Sequence, residues 1–231
     1  MRQFQPIIGT LAVCCGLFLF ATALVGPHPS YAFDLDHVVN QLQSTYDKTT
    51  ALTADFVQIA ILKSIDRHQT SAGHLSIAKP SSIRWEYTQP DAQTIIYDGT
   101  MLQIYTPQRQ QLLQSPISEQ DRGNVALLFL AGVGKLRETF KIEPLDTEET
   151  DKPQLRLLPR SPQASFKELH ITINVETFFV EKITIHDTIG NTTNIHMYSL
   201  TMHKTLPEQT FKLNVPAGTE IITPNDFSNP K

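Results

Sequence analysis

Past residue 15 this chain has no cysteine. Cys14 and Cys15 both lie in an apolar N-terminal run, so the remainder can carry no disulfide, thiolate metal site or cysteine nucleophile. A lipidation signal at Leu11-Ala12-Val13-Cys14 is disfavoured, because apolar sequence continues well beyond it and Val13 is bulky for that position. The two cysteines read as small hydrophobes. Positive charge is also scarce, with 19 Lys+Arg against 23 Asp+Glu and a net charge of −4. No basic stripe is present to release phosphate counterions, which excludes nucleic acid as a partner class. Electrostatic adhesion to anionic lipid is excluded on the same ground. Tryptophan occurs once, at Trp85. There is no internal repeat and no linker.

The N-terminus carries a compartment address. Arg2 supplies a positive start, Ile7 to Val25 is almost free of polar groups, and Ser30-Tyr31-Ala32 offers small residues where a signal peptidase reads. Residues 1–32 thus read as a cleaved secretory signal peptide, with Phe33 first in the mature chain. The run is about long enough to span a bilayer, so an uncleaved anchor is the competing reading. Pro27 and Pro29 ahead of Tyr31-Ala32 favour cleavage. Residues 33–231 then have the length of a single domain.

Leu35, Val38, Val39, Leu42 and Tyr46 recur at helical spacing behind Asp34, which predicts an amphipathic opening helix with Asp34 as its N-cap. From Thr53 the period becomes two. Phe56–Leu62, His74–Ala78, Thr94–Tyr97, Met101–Tyr105 and Gln110–Gln114 read as strands, with Asp98-Gly99 as a hairpin turn. Ile83, Trp85 and Tyr87 alternate with Ser82, Arg84 and Glu86, the pattern of a half-buried strand. Glu119 to Leu130 reads as a second helix, ended by Gly132 and Gly134. Phe140–Ile142, Leu155–Leu158, Leu169–Val175, Phe179–His186, Asn194–Leu200 and Phe211–Val215 supply further strands. The order helix, strands, helix, strands predicts an α+β domain around one large antiparallel sheet.

Catalytic groups are few. His37, His68, His74, His170, His186, His196 and His203 show no metal-ligand spacing with a third partner. His186 and His196 fall in neighbouring predicted strands, but satisfied or solvated histidines account for them, and no metal site is expected. There is no G-x-S-x-G elbow. Gly132-Val133-Gly134-Lys135 lacks the spacing and the following Ser/Thr of a phosphate loop. Glu86 lies on a polar face and Asp98 serves the turn. No acid–base pair emerges, and an enzyme is not expected. Apolar groups are plentiful: Leu75, Ile77, Ile83, Trp85, Tyr87, Ile95, Leu102, Ile104 and Leu112 could share one concave sheet face. Pattern alone leaves open whether that face is a close-packed core or the wall of a cavity.

The stretches A-D-F-V-Q (54–58), G-x-L-x-x-x-K-P (73–80), R-W-E-Y-T-Q-P (84–90), D-G-x-x-L-x-x-Y (98–105) and V-P-x-G-T-E-I-I (215–222), in this order, closely resemble the LolA family of periplasmic outer-membrane lipoprotein carriers. Leu127–Gly132 leading to Phe140, Pro162-Gln163-Ala164 and the residues from Asp187 to Thr193 extend the likeness over the whole chain after the signal. The resemblance implies an incomplete antiparallel β-barrel whose apolar hollow is covered by helices acting as a lid. It also implies a periplasmic monomer without cofactor. Such a carrier receives lipoproteins from an inner-membrane ABC lipoprotein-releasing transporter and hands them to an outer-membrane lipoprotein acceptor. A carrier or sensor for another lipid or glycolipid on the same fold is the alternative. By position, Ile83, Trp85 and Tyr87, with Leu75 and Ile77 on the preceding strand, would touch acyl chains, and Leu128, Phe129 and Leu130 would belong to the lid. Lys79-Pro80 stands where family members carry Arg-Pro, whose Arg latches the lid by bonding to its main-chain carbonyls. Lysine offers donors but no planar fork, so a looser latch is expected.

Overall fold

The computed structural model describes residues 33–116, 135–145, 152–162 and 165–224. The chain divides into two units, Met1–Tyr31 and Ala32–Lys231, and all described residues belong to the second. The predicted signal segment, the second helix with Leu128, Phe129 and Leu130, and the acidic stretch 146–151 lie outside the described residues.

The opening helix forms as the spacing predicts. Helix α1 runs Leu35–Lys48, and the Asp34 carboxylate accepts from the His37 amide at 3.1 Å, satisfying one of the free donors of the first turn. Asp36 in the first turn and Lys48 in the last complement the helix dipole. Val38, Val39, Leu42 and Tyr46 are its buried stripe. The helix stops at Thr49, whose amide and hydroxyl both return to the Thr45 carbonyl.

Among the described residues twelve strands follow: β1 (Ala51–Leu62), β2 (Arg67–Ala78), β3 (Ser82–Gln89), β4 (Gln93–Tyr97), β5 (Met101–Thr106), β6 (Gln111–Pro116), β7 (Phe140–Pro144), β8 (Gln154–Pro159), β9 (Glu168–Ile173), β10 (Val180–His186), β11 (Thr192–His203) and β12 (Glu220–Ile222). They form one sheet in the order β12-β6-β5-β4-β3-β2-β1-β11-β10-β9-β8-β7. Its pairings are antiparallel except β12 on β6, which is parallel. The Asp98-Gly99 turn joins β4 to β5 as expected: the Asp98 carboxylate accepts from the amides of Thr100 and Met101, each at 2.9 Å. Gly99 takes a φ of 102°, and a Cβ there would lie 2.3 Å from the Ser81 hydroxyl.

The sheet is open, with β12 and β7 as its edges, and it is curved. One core cluster joins Phe56, Leu75 and Trp85 from the β1–β3 wing to Leu155, Leu169, Ile171 and Ile183 from the β8–β10 wing, with the buried stripe of α1 among them. Two wings of one sheet can share a helix only by bending around it. The balance is mostly β: besides α1, the described residues include the short helix α2 (Leu136–Thr139), a single turn before β7.

One predicted strand is absent. Phe211–Val215 is not extended sheet, because Glu208–Phe211 forms a 3-10 turn. The last strand comes instead from Glu220–Ile222, laid beside Gln111–Leu113 of β6. The partner is distant in sequence, and a short apolar stretch reports nothing about it.

Candidate functional site

The inner face of β2 and β3 is built by register. Leu75 pairs with Trp85, Ile77 with Ile83 and Gly73 with Tyr87, so these side chains fall on one face of the pleat. Phe56 of β1 pairs with Gly73 from the other side. A Cβ at Gly73 would lie 1.8 Å from the Glu86 carbonyl oxygen, so only glycine fits the bulged backbone. Across the bare position the Phe56 and Tyr87 rings meet edge to face at 5.2 Å, and Phe56 lies against Trp85 at 4.5 Å. The result is a continuous aromatic wall.

The predicted contact residues Leu75, Ile77, Ile83 and Trp85 are thus brought together, and all four are buried, Trp85 at 1% exposure. Tyr87 is half-buried at the margin, its hydroxyl donating to the Gln58 side chain at 3.1 Å. Burial pushes its pKa upward, against the lowering effect of its polar neighbours. The buried stripe of α1 belongs to the same core cluster as this wall. One polar atom on it is unmatched: the indole N–H of Trp85 is buried and donates to nothing. The Tyr87 hydroxyl interacts with the indole, but outside hydrogen-bond geometry. A buried donor left open costs about 1–3 kcal/mol.

Lys79 lies between β2 and β3, in a cis Lys79–Pro80 link. Its ammonium donates to the main-chain carbonyl of Tyr46 in the last turn of α1, and its amide donates to the Thr50 carbonyl at 2.8 Å. Partial burial lowers the Lys79 pKa, and Asp47 pulls it back up. Tyr46 is also held from the opposite wing. Its ring meets Phe179 edge to face at 5.5 Å, and burial drives its hydroxyl pKa up to about 12 against a hydrogen bond from the Val180 main chain. In the first turn of α1, Arg137 pairs with Asp36 at 2.5 Å, and further along the helix the Leu136 amide donates to Gln43 at 2.9 Å. Helix α1 is therefore tied by a few polar contacts and by apolar packing along its length.

Beside the C-terminal half of α1 a groove of about 670 Å³ opens, lined by Thr45, Phe179, Val180, Met197, Leu200 and Met202. Sequence reasoning missed this opening. Its lining comes from α1, the β9–β10 connection, β10 and β11, includes the charged Lys48, Glu176 and Glu181, and carries no local pattern. The residues 47–214 match the family described as "Outer membrane lipoprotein carrier protein LolA". The chain belongs to the LolA family. Among similar proteins is an outer-membrane lipoprotein carrier protein of Methylococcus capsulatus, 29% identical over 183 residues, covering 79% of this chain and 86% of the relative. Its counterpart in Pseudomonas aeruginosa is 28% identical over 205 residues, covering 88% and 96%. A solved structure of an uncharacterized conserved protein from Thermus thermophilus shares the fold, with a TM-score of 0.51, 11% identity and coverage of 81% and 98%.

Proposed function

We propose that this protein is a periplasmic lipoprotein carrier. It accepts the acyl chains of lipoproteins released at the inner membrane by an ABC lipoprotein-releasing transporter, and it delivers them to an outer-membrane lipoprotein acceptor. It works as a monomer by binding and release, with no cofactor and no covalent step. Residues 1–32 serve as the cleaved export signal. The curved sheet is an incomplete barrel, α1 forms part of its lid, and Leu128, Phe129 and Leu130 contribute the rest.

The observation that carries this reading is the aromatic wall of β2 and β3, closed by one helix that the Lys79 ammonium tethers at Tyr46. Acyl chains expose many CH₂ groups, each worth roughly 0.8 kcal/mol on transfer from water. A carrier must shield them without binding irreversibly. An apolar helix stripe on an apolar wall meets both demands, because cargo replaces the contacts that α1 makes and α1 replaces them on release. Leu75, Ile77, Ile83, Trp85 and Tyr87 then touch the chains. The open Trp85 N–H offers one donor to the ester or amide carbonyls at their heads. The groove between α1 and β11 is the way in, and Lys79-Pro80 is the closed-state latch.

Substitution Trp85→Glu places a carboxylate on the wall, where an unpaired charge is strongly disfavoured. Loading from inner-membrane vesicles is expected to be lost in a folded variant. Normal loading of Trp85→Glu would remove β3 from the acyl site. Native mass spectrometry of the periplasmic form separates cargo classes: a bound triacylated polypeptide supports the lipoprotein carrier, and a free glycolipid supports a carrier or sensor for another lipid.

A further inference from the structure

The outer face of β9 and β10 carries a cluster for which acyl binding has no use. Glu168 and His170 are two residues apart on β9 and share a face. His186 of β10 pairs directly with Glu168. The intervening Leu169, Ile171 and Ile173 are buried in the core, so the trio points to the other side. One donor atom from each of Glu168, His170 and His186 lies within 4.8 Å of the other two. Nε2 of His170 is 3.0 Å from Oε1 of Glu168, and the two imidazole centroids are 4.5 Å apart. The histidine that reaches His186 is thus His170. His196, the neighbour expected from strand order, pairs with Lys182 further along β10.

A second observation points to a ligand. Nδ1 of His186 is 3.4 Å from the Thr192 hydroxyl of β11, while its Nε2 is buried without a hydrogen-bond partner. Buried polar atoms left open are uncommon, and a missing ion is one standard reason for them.

We propose that Glu168, His170 and His186 bind a divalent transition ion of the zinc class, which clips β9 to β10 on the outer face of the sheet. Two imidazoles and one carboxylate form the nitrogen-rich set that such ions take, whereas calcium and magnesium want oxygen ligands. Tetrahedral ligation at 2.0–2.2 Å requires donors roughly 3.4 Å apart, so separations of up to 4.8 Å must close by as much as about 1.4 Å, through side-chain rotation. The fourth position falls to water.

Arg156 sets the limits of the site. Its Nε and Nη2 donate to Oε2 of Glu168 at 3.0 and 2.5 Å, which orients the carboxylate and leaves Oε1 for the ion. Arg156 also lies 3.5 Å from Glu143, which in turn pairs with Lys141 at 2.8 Å. Lys167 adds further positive potential at His186. These cations oppose a second positive charge and weaken the site relative to a structural zinc site.

The test uses the full chain stripped with chelator and titrated with Co²⁺ near neutral pH. One equivalent is expected to give a visible tetrahedral absorption band that one equivalent of Zn²⁺ displaces. Zn²⁺ should raise the thermal midpoint of the wild type. His170→Ala and His186→Ala should each weaken binding at least about tenfold and abolish the midpoint rise, while circular dichroism stays native. If one variant fails to fold, the other decides. Absence of a protein-dependent band in the wild type, or retention of wild-type affinity in either folded variant, overturns the proposal. Neither readout involves cargo, so the outcome stands apart from the carrier function.

Discussion

The inner faces of β8–β10 and of β1–β4 bury residues to a similar degree but with different chemistry. On the first, Leu155, Leu157, Leu169, Ile171 and Ile173 are aliphatic and essentially inaccessible. On the second, the aromatic Phe56, Trp85, Tyr87 and Tyr97 stand beside the aliphatic Leu75, Ile77 and Ile83, Tyr87 is only half-covered, and a buried indole N–H has no acceptor. Branched aliphatic side chains interdigitate to crystal-like density and leave no place for a guest. Flat rings against a helix present a broad surface on which one apolar occupant can replace another. On the proposed reading the same pleat supplies a permanent core in one wing and an exchangeable contact in the other.

The comparison breaks most visibly if the two wings respond alike to truncation. Leu169→Ala, in the fully buried aliphatic wing, should cost about 2–5 kcal/mol of stability, because removed methyl groups leave a cavity that the sheet cannot close. Denaturant unfolding measures that loss, and cargo loading at a temperature where the variant is folded should be close to normal. Selective loss of loading without loss of stability would make the aliphatic wing part of the binding wall and erase the distinction.

Much of this arrangement is legible before any coordinates. Asp34 followed by apolar residues at helical spacing predicts α1, and the alternation from Ser82 to Tyr87 predicts β3, because caps and pleats are local. The resemblance, and no local pattern, places Lys79 at the latch, a role that stays a proposal beside the bond from its ammonium to the Tyr46 carbonyl of α1. What stays hidden depends on distant partners. The pairing of Glu220–Ile222 with β6 joins segments far apart in sequence. The meeting of His170 with His186 depends on the register of β9 against β10, and one slip would put each histidine on the other face. The open N–H of Trp85 is likewise unreadable, since it depends on every acceptor that failed to arrive.

A smaller effect concerns the tether between the wings. Lys79→Met keeps the length of the side chain and removes the donor to Tyr46, a charge-assisted bond in a half-solvated setting. The expected loss is about 1–2 kcal/mol. Its functional signature is easier release, seen as faster transfer of bound lipoprotein to acceptor vesicles at unchanged loading. Lys79→Arg should restore or tighten closure, because the guanidinium fork can reach two carbonyls at once. Release rates that ignore both substitutions would mean that α1 is held by packing alone.

The smallest expected change is the most diagnostic for the aromatic wall. In an ordinary core, shrinking a fully buried tryptophan leaves a void and costs stability. At Trp85 the void is offset by removal of a donor that has no acceptor, itself worth about 1–3 kcal/mol in the opposite direction. Trp85→Phe should therefore leave stability within about 1 kcal/mol of the wild type. Its effect should appear in cargo retention, because a phenylalanine offers the chains an apolar face but no hydrogen bond to the carbonyls at their heads. A destabilisation of Trp85→Phe as large as that of Leu169→Ala, with retention unchanged, would identify the indole as plain core. The wall and the aliphatic wing would then be one kind of surface after all.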